Sequence, residues 1–335
     1  MACLQTRVVG SESQETWLTV VEVSGVEERR LALINDGFPI YVQWSPDSAH
    51  LALLTQEESH LVLGLCSVQK LGAYRVVEEG APLFFSWAGD SRRLLIHSGS
   101  GGETRLIVRD VMGGDPDEFF SKQPGNFCTP LVTRNNTIFV GREKEHGVLC
   151  MSDIRGSDAQ ALASIEGLVS MAVSPDDSVL AFSSAPPGAR QLYQGIWLVD
   201  LGTGAVQHLV NEGVVAYFWK PDGSGLVFVT RGRGPAEFLW NQVAIVDGSV
   251  HRLAGFFPTF AQKFQMHFFE QFAVSHSAVS ADSSRLVYAS HPNPRAGGSD
   301  TTPHIFSLDL HATEAKPELI APGEFAICSP ESLPV

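Results

Sequence analysis

The sequence predicts an all-β fold: a seven-bladed β-propeller closed by N-terminal strands plus a C-terminal innermost strand. Three observations predict it. A corner motif recurs, a second motif recurs between the corners, and each counts seven copies along the 335 residues. The composition agrees, since 31 Gly and 19 Pro beside only 18% charged residues suit short strands and tight turns better than long helices.

The corner reads WSPDS from Trp44, WAGDS from Trp87, VSPDDS from Val173, WKPDGS from Trp219, VSADSS from Val279 and CSPES from Cys328, with a worn copy, LVTRNNTIFV, from Leu131. Each copy separates two apolar runs. Pro, Asp, Ser, Asn and Gly supply the turn and the runs supply two pleated strands, so each copy is a hairpin. Between the corners lie strands that end on an acidic residue and a turn: Asp110, Asp153, Asp200, Asp247 and Asp309. Strands carrying Glu22 and Cys66 fit the same spacing. A shorter fourth strand follows each. The step is 43 residues from Trp44 to Trp87 and 47 from Asp153 to Asp200. A four-stranded unit of that length, repeated, is the mark of a propeller. One thin sheet cannot cover both its faces, whereas radial sheets cover one another. The chain opens on QTRVVGS and the third-strand motif at Glu22 and ends on a first-strand motif in EFAICSPES. A composite blade that locks the ring follows from that order. The whole of 1–335 reads as a single propeller domain with a Phe-rich insertion at about 255–275.

The corners W-S-P-D-S, W-K-P-D-G and V-S-P-D-D, followed by L-A-F or L-V-F, resemble TolB-type (WD40-like) propeller repeats over nearly the whole chain. Better-known members of that family have six blades, where this chain counts seven. The resemblance implies the fold and leaves function open, because the family includes periplasmic scaffolds, accessory domains of peptidases and many proteins without an assigned role.

A formal net charge of −14 repels phosphate backbones, so nucleic acid is not an expected partner. No run of 18 apolar residues suggests a membrane span, and the N-terminus has no basic start followed by an apolar run. Five cysteines with no CxxC pair read as reduced thiols in a cytoplasmic chain. A secreted chain trimmed of its signal would read the same way.

By the repeat register, the loops between strands two and three, and between one blade and the next, gather on one face. His97, Arg142, His146, Arg190, Tyr193, Arg231, Arg233 and His291 fall there. Tyr41, Phe84 and His276 each precede their corner by three residues and are expected to ring the channel mouth. The insertion stretches one period to 60 residues, Trp219 to Val279, and holds seven of the 20 phenylalanines. Phe257, Phe260, Phe264, Phe268 and Phe272 step by three, four, four and four, a helical stripe with Pro258 in the first turn. The stripe packs as a plug on the ring, or forms a lid or docking surface.

No GxSxG elbow, P-loop or short zinc spacing occurs. The expected function is therefore a non-catalytic binding or scaffold module, monomeric and without cofactor or metal. It recognises a protein partner or small apolar ligand through Tyr41, Phe84, Arg142, Arg190, Tyr193, Arg231, Phe260, Phe264, Phe268 and His276. The alternative is a propeller lyase or hydrolase that uses His276 with His97, His146 or His291.

Overall fold

A computed structural model describes residues 2–9, 13–21, 28–34, 38–70, 74–100, 103–113, 118–121, 128–143, 146–186, 193–273, 277–292, 302–312 and 314–328. The chain divides into two compact units, Met1–Lys144 with Leu149–Ala161, and Glu145–Val148 with Leu162–Val335. Among the described residues the strands form seven sheets, each made of consecutive strands.

In the first unit, β1 (Ala2–Val9), β2 (Ser13–Val21) and β3 (Glu28–Ile34) pair antiparallel as a three-stranded sheet. The second sheet is β4 (Phe38–Trp44), β5 (His50–Glu57), β6 (His60–Ser67) and β7 (Tyr74–Gly80). The third is β8 (Leu83–Trp87), β9 (Arg93–Ser100), β10 (Glu103–Asp110) and β11 (Glu118–Ser121). The fourth is β12 (Leu131–Val132), β13 (Thr137–Glu143), β14 (His146–Ser152) and β15 (Gln160–Ile165), and the division between units falls within it.

In the second unit, β16 (Leu168–Val173), β17 (Val179–Ala185), β18 (Tyr193–Asp200) and β19 (Val206–Val214) make the fifth sheet. The sixth is β20 (Ala216–Trp219), β21 (Gly225–Arg231), β22 (Phe238–Ala244) and β23 (Val250–Phe256). Two short helices follow, α1 (Phe260–His267) and α2 (Phe269–Phe272). The seventh sheet is β24 (Arg285–Ser290), β25 (His304–Asp309) and β26 (Glu318–Pro322). Its first strand is reduced to one bridge, Val279 to Leu286. Residues 329–335, the end of the last corner motif, lie outside the described residues.

The corners share one construction. Ser45, Ser174 and Ser280 each donate a hydroxyl to the aspartate two residues on, at 2.5, 2.6 and 2.6 Å. Each hydroxyl oxygen also accepts the amide of the next strand's first residues: His50, Val179 and Arg285. The turn then passes through a left-handed residue at Ser48, Ser91, Asp177, Gly223 and Ser283, with φ between 58° and 72°. Only Gly223 takes that conformation without Cβ strain.

The serines offset that strain by reaching outward. Within the first unit, the Asp47 amide donates to Ser91 Oγ at 2.9 Å; within the second, the Asp222 amide donates to Ser283 Oγ at 2.9 Å. Each bond joins one corner to the next. Trp219 explains the corner aromatic: its indole N–H donates to the Ala172 carbonyl of the preceding sheet at 2.9 Å. Two residues earlier on the same strand, the Tyr217 hydroxyl donates to the Ser170 carbonyl at 2.9 Å.

The strand-ending aspartates are turn caps. Asp110, Asp153, Asp200, Asp247 and Asp309 each accept a backbone amide from two residues on. Such Asx turns fold the strand end back without a helix or ladder. In the first unit a buried carboxylate also joins neighbouring sheets. Glu78 on β7 accepts from Arg105 and from Arg109 (2.7 Å) on β10, and from Ser98 on β9 at 3.1 Å. The core of the second unit is aromatic: Trp240 stacks on Phe256 at 5.4 Å, and Tyr288 on Phe306 at 5.6 Å.

Candidate functional site

The Phe-rich insertion does form helix, but of its stripe only the last member, Phe272, is buried. Phe260 is 76% exposed, and Phe264 and Phe268 are half-buried. Buried instead are Gln262, Gln265 and Met266. The reason lies in the seventh sheet. Among the described residues its first strand is a single bridge, with no strand beside the upper part of β24 on that side. A buried amide needs an acceptor. Gln262 Oε1 accepts the Ala289 amide at 3.0 Å, and its Nε2 donates to Gln265 Oε1 at 2.5 Å. The helix thus turns its glutamines inward as a substitute strand, and its phenylalanines face away. Phe264 and Phe268 pack on each other at 4.9 Å, and Phe264 on Phe272 at 6.1 Å.

The helix starts two residues beyond Pro258, which was expected in its first turn. Thr259 is the N-cap: its Oγ1 accepts the Gln262 amide at 3.1 Å and donates to the Glu324 carbonyl at 2.6 Å. At the other end, Phe269 of α2 packs on Tyr217 at 4.6 Å and edge-on to Tyr193 at 6.1 Å. The next residue, Glu270, is buried, and its Oε2 has no hydrogen-bond partner. Burial alone pushes its carboxyl up to about 8. Tyr217 beside it is raised well above its ordinary value, first by burial.

The remaining expected site residues scatter. Phe84 and His97 face each other across β8 and β9. His97 was expected at a strand end, but β9 runs on to Ser100 and buries it to 2% exposure, its Nδ1 3.4 Å from the Cys128 carbonyl oxygen. Burial drives its imidazole down to about 4, so it is neutral at physiological pH. Arg142 is exposed, and Tyr41 lies on β4 opposite Leu54. Arg231 is exposed with its guanidinium 4.8 Å above the Phe238 ring. His291 is exposed, and its amide donates to the Phe257 carbonyl at 2.8 Å. Arg190 and His276 lie outside the described residues. Among the described residues, no group of three or more His, Cys, Asp or Glu side chains is arranged to hold a metal ion.

A second feature escaped the sequence reading. In the second unit, a groove of about 910 Å³ opens between the end of β15 and the face of the fifth sheet. Phe182, Trp197 and His208 form a row across β17, β18 and β19. His208 lies flat on the Trp197 indole, centroids 4.0 Å apart and planes 22° apart. A bulge at Gly195, φ +71°, makes room for this: a Cβ there would lie 2.6 Å from His208 Nε2 and 2.3 Å from the Val210 carbonyl oxygen. His146, expected on the loop face, also lines the groove, as does Glu166. The linear sequence offers no signal for it, because three strands and a bulge assemble it.

No protein-family model matches the chain. No curated protein matches it either. Solved structures do. The β-propeller domain of the Trilobed protease from Pyrococcus furiosus aligns with TM-score 0.54 and 14% identity, over 94% of this chain and 93% of that one. Oligogalacturonate lyase from Vibrio parahaemolyticus aligns with TM-score 0.56 and 13% identity, over 94% of this chain and 84% of that one. TolB from Acinetobacter baumannii aligns with TM-score 0.49 and 15% identity, over 97% of this chain and 80% of that one. At such identities the likeness concerns fold alone, and the fold is an all-β propeller, as the TolB-type corners imply.

Proposed function

We propose that this chain is a non-catalytic binding module that docks a protein partner on the aromatic face of α1. The observation that carries this is the outward stripe: Phe260 at 76% exposure beside half-buried Phe264 and Phe268. Aromatic side chains on a rigid support make good interface anchors, because little side-chain entropy is lost on binding. The support here is the Gln262 clamp on Ala289 and the Thr259 cap on Glu324, which fix the helix from behind. Exposed Lys263 and His267 supply a polar rim. In this reading residues 1–335 make one monomeric propeller domain that needs no cofactor. The lyase or hydrolase alternative gains no support from His97, which is buried and neutral.

A photo-crosslinking amino acid placed at position 260 in the full chain tests the reading, with the same probe at Val246 as control, a residue 95% exposed on a tight turn. The expected result is a small set of discrete adducts at 260 that are absent at 246 and lost when Phe264 is changed to Ser. Equal, diffuse labelling at both positions would remove the proposal.

A further inference from the structure

We infer that the groove beside the fifth sheet is a binding site for an uncharged saccharide of two or three rings, held against the Trp197–His208 stack by Gln194, Asn211, His146 and Glu166. The inference uses no residue of α1 and stands apart from the docking face.

The chemistry follows from the lining. A sugar ring has a flat C–H face and an edge of hydroxyls, each both donor and acceptor. Its face fits an aromatic plane, and its edge fits side chains that donate and accept at neighbouring positions. The groove offers both. His208 is exposed, so its outer ring face closes the stack on the groove side, with the half-buried indole behind it. Gln194 and Asn211 carry amides that donate and accept, His146 carries an imidazole that does the same, and Glu166 accepts only. The volume of about 910 Å³ falls in the range of small-ligand sites, roughly 300–1,000 Å³.

The stack is built rather than incidental. Gly195 has a left-handed φ, and any side chain there would collide with His208. Its carbonyl is fixed by the buried Ser183 hydroxyl, which donates to it at 2.6 Å. The bulge therefore sets where the imidazole lies. Charge selects against acidic sugars: Glu166 lines the groove, and the chain carries a net charge of −14. An extended peptide would need an open strand edge with its backbone groups. Here side chains from the face of β17, β18 and β19 make the wall.

The full chain is titrated with neutral di- and trisaccharides of gluco, manno, galacto and xylo configuration, and separately with di- and trigalacturonate. Saturation-transfer NMR and tryptophan fluorescence read the binding. At least one neutral sugar is expected to bind with a dissociation constant of about 1 mM or tighter. His208→Ala and Asn211→Ala, both at exposed positions, are expected to weaken it about tenfold with unchanged thermal stability. Gly195→Ala is expected to weaken it as His208→Ala does. The inference is overturned if no neutral sugar binds at about 10 mM. It is equally overturned if only the galacturonates bind, or if His208→Ala and Asn211→Ala leave binding unchanged.

Discussion

Ser283 shows what one side chain of the corner does. It holds a left-handed φ of 60°, is fully buried, and accepts the Asp222 amide of the previous corner. Alanine would keep the strained backbone and leave that amide unpaired, at a cost of about 1–2 kcal/mol. Glycine would lose the same bond but relieve the strain. Urea denaturation should therefore rank Ser283→Ala below Ser283→Gly, and both below the parent. The repeat was legible at this scale because its signals are local: a turn aspartate bonds an amide two residues away, as at Asp282 and Ser284. The bond to the next corner was not legible, since nothing within the VSADSS stretch names its partner across 61 residues.

The insertion was half legible. Its phenylalanine spacing announced a helix, and α1 and α2 are there. Which side turns inward was not readable from periodicity. Hydrophobic patterning assumes that the apolar face is buried, whereas here the Ala289 amide holds Gln262 inward. His97 was misplaced for a related reason: nothing local marks where β9 ends, three residues beyond it.

Glu270 gives the second helix a pH dependence. Its carboxyl rises from an ordinary 4.5 to about 8 through burial. The folded state thus keeps this proton more tightly than the unfolded chain does. Its contribution is fully present below about pH 4.5 and is progressively lost as the pH rises to about 8. Glutamine does not titrate. Glu270→Gln should raise the melting temperature by at least about 3 °C at pH 8, with the gain shrinking toward pH 5. A gain independent of pH would mean that the carboxyl is already ionised in the fold.

Across the whole molecule the aspartate turns act in the opposite sense. The Ser280 hydroxyl, helped by Ser284, holds the Asp282 carboxyl down to about 2. The Arg92 guanidinium does the same for Asp110. Hydroxyls of Ser45 and Ser174 lower Asp47 and Asp176, and the Thr203 amide lowers Asp200. For depressed carboxylates the stabilisation is present above the ordinary value of 3.8 and is lost as the pH falls toward the folded value. Circular dichroism should report steep unfolding between about pH 4 and pH 2, and Asp282→Asn should make that loss shallower. The propeller was legible as a whole because each sheet is made of strands adjacent in sequence. The saccharide groove was not, since it needs the register that a single glycine bulge sets at Gly195.

The bond between corners also bears on how such a chain could have grown. A segment bearing an aspartate followed directly by a serine brings both halves of the fastener with it, an N–H for the unit ahead and an oxygen for the unit behind. Copied in tandem, it would arrive equipped to join its neighbours without further change. A copy with glycine in the serine's place, as at Gly223, has no oxygen to offer and enters by shape alone.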